Sequence, residues 1–561
     1  MNGDGRYGSV ALPNGSFQRA AASSWPGIAI LETVMVFAVA LSIRIIDQAG
    51  LPPHPDDLLH LYAARSYLDH GTLSIFSGVY LRSADFTYLV AASLKVFGDT
   101  LLAARLPALV CGAGIVACAY AWLRSNVGRG PALIAASMLA IMAPALDVSV
   151  LIRFYTLQSL LFLSGAILIY GVVTAAKPSW RSLPAALLAI LLLAEAARLQ
   201  IVSAVGILGL LTWAALVTGW RLRERLSWRA RLAALGLLLL SAALVGFVAL
   251  ETGILGRMWE LYRAAVLWAE PERNNYKYYY HELTRSFGLL MDLLPFAAVV
   301  AFLFYPLPAL FCATLLFVGI IVHSFAGMKL IRYMSYLLPL LACLWAMAAW
   351  PLLTFVGDRA AALVRRRAPR AARLARAGIC CFAALLVFKA VPVFERPARA
   401  LILPNADRVR DSRDQSWMLA RDQLRPLVRR ADVLVVDDDL LADYHVARPD
   451  IVLSKTRLLE NTPPDEFTRD FRTGTPTISN DASVRTLLAC FRNGVILTYE
   501  PFLEWLPPET LTFLAANARR LDPAPSLTGY AWDEPRGEPP ASCDAVRQLV
   551  APTATMRHAA P

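Results

Sequence analysis

Asp56 and Asp57 stand side by side after Pro55 and open a stretch of helix-forming residues, Leu58-Leu-His-Leu-Tyr-Ala-Ala-Arg65. A carboxylate held there can take the proton of a hydroxyl and activate a poor nucleophile, an effect of roughly 10²–10⁴ in rate. The helix dipole at that end favours the anionic form. The plain alternative is a pair of helix-capping residues. Far along the chain, Lys329 and Arg332 precede an apolar run, three residues apart and so on one face if a helix has begun. Fixed cations at such a place meet the negative charge that grows on a departing phosphate, although snorkelling to the membrane interface explains either one alone. Arg153 and Arg198 are further cations at the same depth, and Arg198 also has the i+3 spacing of an ion pair with Glu195. Asp147 is a second acid, a holder of an acceptor or a metal ion, or simply a cap at a helix end. Tyr276, Tyr278, Tyr279 and Tyr280 are suited to stacking on sugar faces or gripping a lipid carrier, and equally to anchoring at the interface. His281 and His323 are not spaced as metal ligands, so no metal-binding residue is assigned and a need for a divalent cation stays open.

The elements that must position these residues lie largely in lipid. Of the 561 residues 57% are hydrophobic and 17% charged, with a mean hydropathy of +0.50, a balance that no water-soluble core of this size accommodates. The net charge of +12 comes from arginines beside apolar runs, where they act as topology signals and do not form a nucleic-acid footprint. At roughly 20 apolar residues per crossing, about eleven spans are expected. They run Ile28 to Ile46, Leu106 to Leu123, Pro131 to Leu146, Phe154 to Ala176, Leu183 to Ala197, Ile201 to Thr218, Leu232 to Leu250, Phe287 to Phe304, Leu307 to Val322, Tyr333 to Val356 and Ala377 to Val393. The polar first 27 residues are followed by no cleavage site, so the first run reads as a retained span.

Alternate connections carry the arginines: Arg124 and Arg129, the run Arg221 to Arg231, and Arg359 to Arg376. The positive-inside rule places that set in the cytoplasm. The segment 47–105, the turn at Asp147, the segment 251–286, the Lys329 turn and the tail then face outward. The tail, 394–540, is polar; Val433 to Asp437 and Gly494 to Tyr499 read as strands and Leu440 to Val446 as a short helix, which makes a small α/β domain. Residues 541–561 are rich in Pro, Ala and Thr and read as disordered. Of eight cysteines, six lie in apolar runs; Cys490 and Cys543 lie in the tail, as a disulfide if it faces an oxidising compartment or as two free thiols.

The acidic pair belongs to a longer pattern, Asp-Asp-x(4)-Tyr-x-Ala-x(6)-Gly, followed by an interfacial helix Phe86 to Phe97 and by Ala104-Arg105-Leu106-Pro107 entering the next span. Together these resemble the N-terminal part of GT-C glycosyltransferases, the group of protein O-mannosyltransferases and lipid A aminoarabinose transferases. Asp147 to Gln158, with Arg153 and Tyr155, is similar to that family's Arg-containing entry to a span. Gly327 to Tyr333 resembles its Lys-x-x-Arg-Tyr segment, and Asn274 to His281 its aromatic outer loop. In the tail, Asp443 to Asp450 and Phe471 to Gly474 resemble soluble-domain segments of some bacterial members. The resemblance implies a polytopic α-helical GT-C protein with a small C-terminal α/β domain in a bacterial inner membrane. Its active site would face the periplasm, with Asp56 as catalytic base, Asp57 beside it where the family usually has Glu, and Lys329, Arg332, Tyr333, Arg153 and Arg198 around the donor phosphate. Asp147, Tyr155, Tyr278, Tyr279 and Tyr280 would meet acceptor or sugar. The implied donor is a polyprenyl-phosphate-linked sugar, and the acceptor a glycan, glycolipid or protein, alongside membrane lipid. The competing class is a multi-span transporter or flippase, against which stand the lack of an internal repeat and the gathering of charges at one face.

Overall fold

The computed structural model describes residues 26–175, 180–225, 254–264, 267–365, 391–394, 412–453, 467–478, 481–499 and 508–559, with single positions at 227, 229, 251, 378 and 382. Helix α1 (Pro26–Gln48) leads through a short loop to α2 (Pro55–His70), the hairpin β1 (Ser74–Ile75) and β2 (Gly78–Val79), and α3 (Ala84–Phe97). Helices α4 (Leu101–Asn126), α5 (Arg129–Ile141), α6 (Ala143–Val150), α7 (Tyr155–Thr174), α8 (Leu183–Leu199) and α9 (Ser203–Arg225) follow. After 254 come the helices Tyr278–Phe287, Leu294–Phe304 and Pro306–Ser324, the tight turn Ile331–Leu337 and the long helix Leu338–Arg365.

Six of the described helices are long and apolar enough to cross a membrane, and the bent pair α5 and α6 makes a seventh. With the fold neighbours described below, this is a multi-pass integral membrane protein. The sequence reading of about eleven spans differs for stated reasons. Those expected at Leu232 to Leu250 and, for the most part, Ala377 to Val393 lie outside the described residues. The run Leu183 to Ala197 forms a 17-residue helix, and Phe287 to Phe304 is divided, leaving Leu294–Phe304 only 11 residues long. Pro131 to Leu146 is broken by 55° at Met142. Pro144 has no N–H to give and its ring clashes with the carbonyl four residues back, so the helix restarts there. The restart puts Asp147 inside α6, not at a helix end where it would cap.

Spans pack through an aromatic core in which Tyr170 stacks on Trp213 at 5.4 Å, with Trp122 and Phe311 edge-on or tilted against them. A second ring pair, Phe162 and Tyr336 at 4.8 Å, closes on α9 at Gly206, where a Cβ would meet the Tyr336 and Phe162 rings at 2.5 and 2.6 Å.

The tail is a seven-stranded mixed sheet. Its strands β3 (Val433–Val436), β4 (Ile451–Leu453), β5 (Thr468–Arg469), β6 (Pro476–Ile478), β7 (Gly494–Tyr499), β8 (Arg519–Ala524) and β9 (Leu527–Trp532) lie in the order β5-β6-β4-β3-β7-β9-β8. The central β6-β4-β3-β7 ladder is parallel and both edges antiparallel, and the apolar runs that read as strands are buried on both faces, as parallel strands require. The terminal stretch expected to be disordered forms a helix, Cys543–Ala559. Cys490 and Cys543 are disulfide-bonded, and Cys543, Val546 and Val550 pack into the domain core, a constraint that composition does not register. A second apolar cluster runs without interruption from Leu58, Phe86 and Phe154 into Trp417, Leu434 and Leu441, so the sheet domain is seated on the segment that carries the acidic pair.

Candidate active site

Helix α2 begins because His54, Pro55, Asp56 and Asp57 close a complete capping box. The Asp56 N–H donates to His54 Nδ1 at 3.0 Å, and the His54 N–H donates to Asp57 Oδ2 at 3.1 Å. This separates two acids that the sequence leaves undivided. Asp57 turns inward: it is buried, its Oδ1 accepts the Ile152 N–H at 2.8 Å, and its Oδ2 lies 3.7 Å from Arg105 Nη2. Arg105, itself buried, also donates to the carbonyls of Leu51 and Pro52 and fixes the loop before α2. Burial pushes the Asp57 carboxyl up, against the pull of Arg105.

Asp56 turns the other way. Its Oδ2 lies 3.0 Å from Arg332 Nη1 and its Oδ1 3.8 Å from Arg153 Nη1. Asp56 and Arg332 are 23% and 24% exposed and reachable, whereas Arg153 is 3% exposed and forms the floor. Burial alone would raise the Asp56 carboxyl. The Arg153 and Arg332 guanidiniums outweigh it and, with smaller pulls from His54 and Arg472, hold it well below the usual carboxylate range. Arg153 is placed from several sides: Nη1 donates to Tyr80 Oη at 3.2 Å, and its guanidinium lies over the Tyr155 ring at 5.8 Å. Arg332 sits over the same ring at 5.9 Å, with Tyr333 tilted against it at 6.2 Å. Tyr155 is thus the platform under both cations. His60, one turn along α2, is buried among Tyr80, Phe86 and Phe154 with Nδ1 on Thr87 Oγ1 at 2.8 Å. Burial holds its pKa well below the usual value, so it is neutral.

Beside the Asp56 and Arg332 pair opens a cavity of about 610 Å³, lined among others by His54, Asp147, Tyr278, Glu282, Arg285 and Arg332. Tyr278 and Asp147 therefore both line this cavity. The remaining expected residues are elsewhere engaged. Arg198 pairs with Glu195 at 2.7 Å and with Asp85, on an exposed surface. Tyr279 is buried, its hydroxyl donating to the Leu330 carbonyl at 3.3 Å, and Tyr280 is exposed and donates to Asp292 at 2.9 Å. Lys329 precedes the turn that carries Arg332, so the two do not share a helical face. Its buried ammonium donates to the carbonyls of Glu272 and Arg273, at 2.8 Å each. Among the described residues no group of three His, Cys, Asp or Glu side chains is placed to hold a metal ion. Missed by sequence reasoning were Tyr80, Glu282 and Arg285, which carry no motif, and Arg472, which lay in a segment noticed for its likeness but given no role.

The membrane helices, the segment with the acidic pair and the seated sheet domain make up a fold shared with solved membrane proteins. ArnT from Cupriavidus metallidurans in the apo state matches over 90% of this chain and 98% of its own, at 14% identity and a TM-score of 0.56. The same protein bound to undecaprenyl phosphate matches over 93% and 99%, at 14% identity and a TM-score of 0.51. The archaeal oligosaccharyltransferase AglB from Archaeoglobus fulgidus, in complex with an inhibitory peptide and a dolichol-phosphate, matches over 90% and 74%, at 12% identity and a TM-score of 0.52. At these identities the shared property is the fold. No family model matches the sequence, and no curated protein matches it.

Proposed function

We propose that this protein is an inverting glycosyltransferase, moving a sugar from a polyprenyl-phosphate carrier to an acceptor hydroxyl or phosphate at the outer face of the bacterial inner membrane. The observation that carries the reading is the Asp56 carboxylate bound between two guanidiniums, Arg153 and Arg332, at the edge of a cavity in a GT-C fold. Neighbours of the same fold hold undecaprenyl phosphate or dolichol-phosphate, which supports a lipid-phosphate donor here.

In the donor-free protein the ion pairs make Asp56 a weak base. A phosphate diester drawn to Arg153 and Arg332 competes for the same N–H donors, so the proton affinity of Asp56 rises as the donor arrives. The acceptor hydroxyl gives its proton to Asp56 while its oxygen attacks the anomeric carbon from the side opposite the phosphate. The bond from that carbon to the phosphate oxygen breaks, its electron pair stays on the phosphate, and the guanidiniums take up the added charge. One displacement inverts the anomeric centre. The cavity lined by Asp147, Tyr278, Glu282 and Arg285 is the place for sugar or acceptor. Lys329 is assigned to holding the outer segment, and Asp57 to holding the helix start.

The test is mass spectrometry of membrane lipids and surface glycans from cells with the wild-type chain, with Asp56→Asn and without the chain. A glycan that vanishes with the chain and with Asp56→Asn, at unchanged membrane levels, supports the reading. Undiminished product from Asp56→Asn, or labelling that puts the Asp56 segment in the cytosol, ends it.

A further inference from the structure

The hairpin β1–β2 between α2 and α3 does not hold itself in place. Its two paired strands are two residues each, and Phe76 at its turn adopts a φ of 55°, a left-handed conformation uncommon for a bulky side chain. It is held from two sides, by α2, where the Ser66 and Ser74 hydroxyls bond and Tyr62 packs edge-on against Phe76, and by the tail domain. The Thr473 carbonyl accepts the Ser77 and Gly78 N–H groups at 3.2 and 3.1 Å, and the Arg448 guanidinium lies 3.7 Å from the Phe76 ring centroid. The Tyr62 hydroxyl on α2 donates to Asp443 of the tail. Contact is close enough that a Cβ on Gly78 would meet the Arg472 carbonyl oxygen at 2.3 Å, and one on Gly474 would meet Ser77 Oγ at 2.2 Å.

The loop making these contacts is rigid for a local reason. Asp470 is buried and accepts the N–H groups of Arg472 and Thr473 at 2.8 and 3.1 Å, and Thr473 and Thr475 both donate to buried Asp439. The same Asp470 holds the Arg472 side chain at 3.1 Å while leaving it 24% exposed. Two residues beyond Gly78 is Tyr80, whose hydroxyl accepts from Arg153 Nη1. A continuous chain of contacts therefore runs from Asp470 through Thr473, the hairpin and Tyr80 to Arg153 and Asp56. Arg472 abuts the hairpin through its own backbone at Gly78, two residues from Tyr80, and its partly exposed guanidinium is the last and smallest of the charges that lower the Asp56 carboxyl.

We propose that the tail loop Asp470–Gly474 is a working part of the transfer site, resting on the function proposed above: it positions Tyr80 and Arg153 through the hairpin and supplies Arg472 as a third cation for the donor's phosphate. The sheet domain is thereby tied to donor binding. Arg472 is the direct contact, and Thr473 and Tyr80 are positioning residues.

The experiment uses the full chain in lipid nanodiscs and measures binding of undecaprenyl phosphate to wild type, Arg472→Gln, Arg472→Lys and Gly78→Ala. Circular dichroism and a retained Cys490–Cys543 disulfide verify folding. Loss of one charge-assisted contact predicts affinity roughly 10- to 100-fold weaker in Arg472→Gln, largely restored in Arg472→Lys. Gly78→Ala, which wedges the hairpin from the loop without touching a charge, is expected to weaken binding as well. Wild-type affinity in Arg472→Gln, or equal losses in Arg472→Gln and Arg472→Lys, would overturn Arg472 as a phosphate contact. Wild-type affinity in Gly78→Ala would overturn the positioning chain. A wild-type protein that binds no undecaprenyl phosphate sinks the functional reading beneath, a result distinct from the others.

Discussion

The Asp56 carboxylate and the Arg332 guanidinium close to 3.0 Å although one opens the first helix after α1 and the other sits in the turn before the long helix Leu338–Arg365. Next to Asp56, Asp57 points into the protein and meets backbone N–H groups and Arg105. The two acids are therefore expected to fail differently. Asp56→Asn keeps shape but loses the base and its ion pairs with Arg153 and Arg332, and lowers kcat of the folded protein by roughly 10²–10⁴, far beyond what its lowered melting midpoint accounts for. Asp57→Asn strands a buried Arg105 and costs roughly 3–5 kcal/mol, seen as a lowered midpoint and lower membrane levels. Equal loss of activity in two equally stable variants would refute the division.

The ion pairs on Asp56 set a pH dependence whose sign is fixed. Its folded-state pKa is depressed, so the stabilisation it brings is complete above the ordinary unfolded value of about 4 and is lost as pH falls through the lower folded value. In kcat/KM of the free enzyme, the acid limb attributable to Asp56 is expected below the ordinary carboxylate range. Arg332→Gln removes one of the two main cations and should move that limb upward in pH while lowering kcat by roughly 10²–10³. A pH profile that keeps its acid limb in place in Arg332→Gln would show that Arg332 does not govern the base.

Lys329 offers a sharp contrast with Arg332. Its ammonium is committed to the carbonyls of Glu272 and Arg273, tying the turn before Arg332 to the segment Leu267–Glu272. Lys329→Met leaves two carbonyls without that donor and is expected to cost about 1–3 kcal/mol, while kcat/KM of the folded fraction stays near wild type. A variant of normal stability that loses donor affinity would return Lys329 to the phosphate.

How much of this was legible in sequence follows from what each signal depends on. The capped start of α2, the helix Ala84–Phe97 and strand β7 depend on neighbours in the chain, and each is found where the pattern puts it. The convergence of Arg153 and Arg332 on Asp56 came from a resemblance, because periodicity carries no information about residues so far apart. What the sequence could not settle was which acid faces outward, since capping and catalysis ask for the same residue type at adjacent positions. The shared face of Lys329 and Arg332 was conditional on a helix having begun at Lys329, and the helical turn begins only at Ile331. The Thr473 contact is invisible to any local pattern, being made by a backbone carbonyl.

The same blindness to long-range constraint hid the order of the terminal segment. Residues Cys543–Ala559 have the composition of a disordered tail, yet Cys543 is bonded to Cys490 across 53 residues and the helix packs beside Asp481–Cys490. Closing a loop of that length stabilises a fold by roughly 2–4 kcal/mol. Cys490→Ser with Cys543→Ser, or reduction of the wild type, should therefore lower the unfolding midpoint of the sheet domain and make the terminal helix protease-sensitive. The spans should keep their helicity, since the described residues clustered around the bridge all belong to the tail. Because such a bond persists only in an oxidising compartment, non-reducing peptide mapping of protein from intact cells tests sidedness too. Two free thiols there would place the tail, and with it the Asp56 face, on the cytoplasmic side.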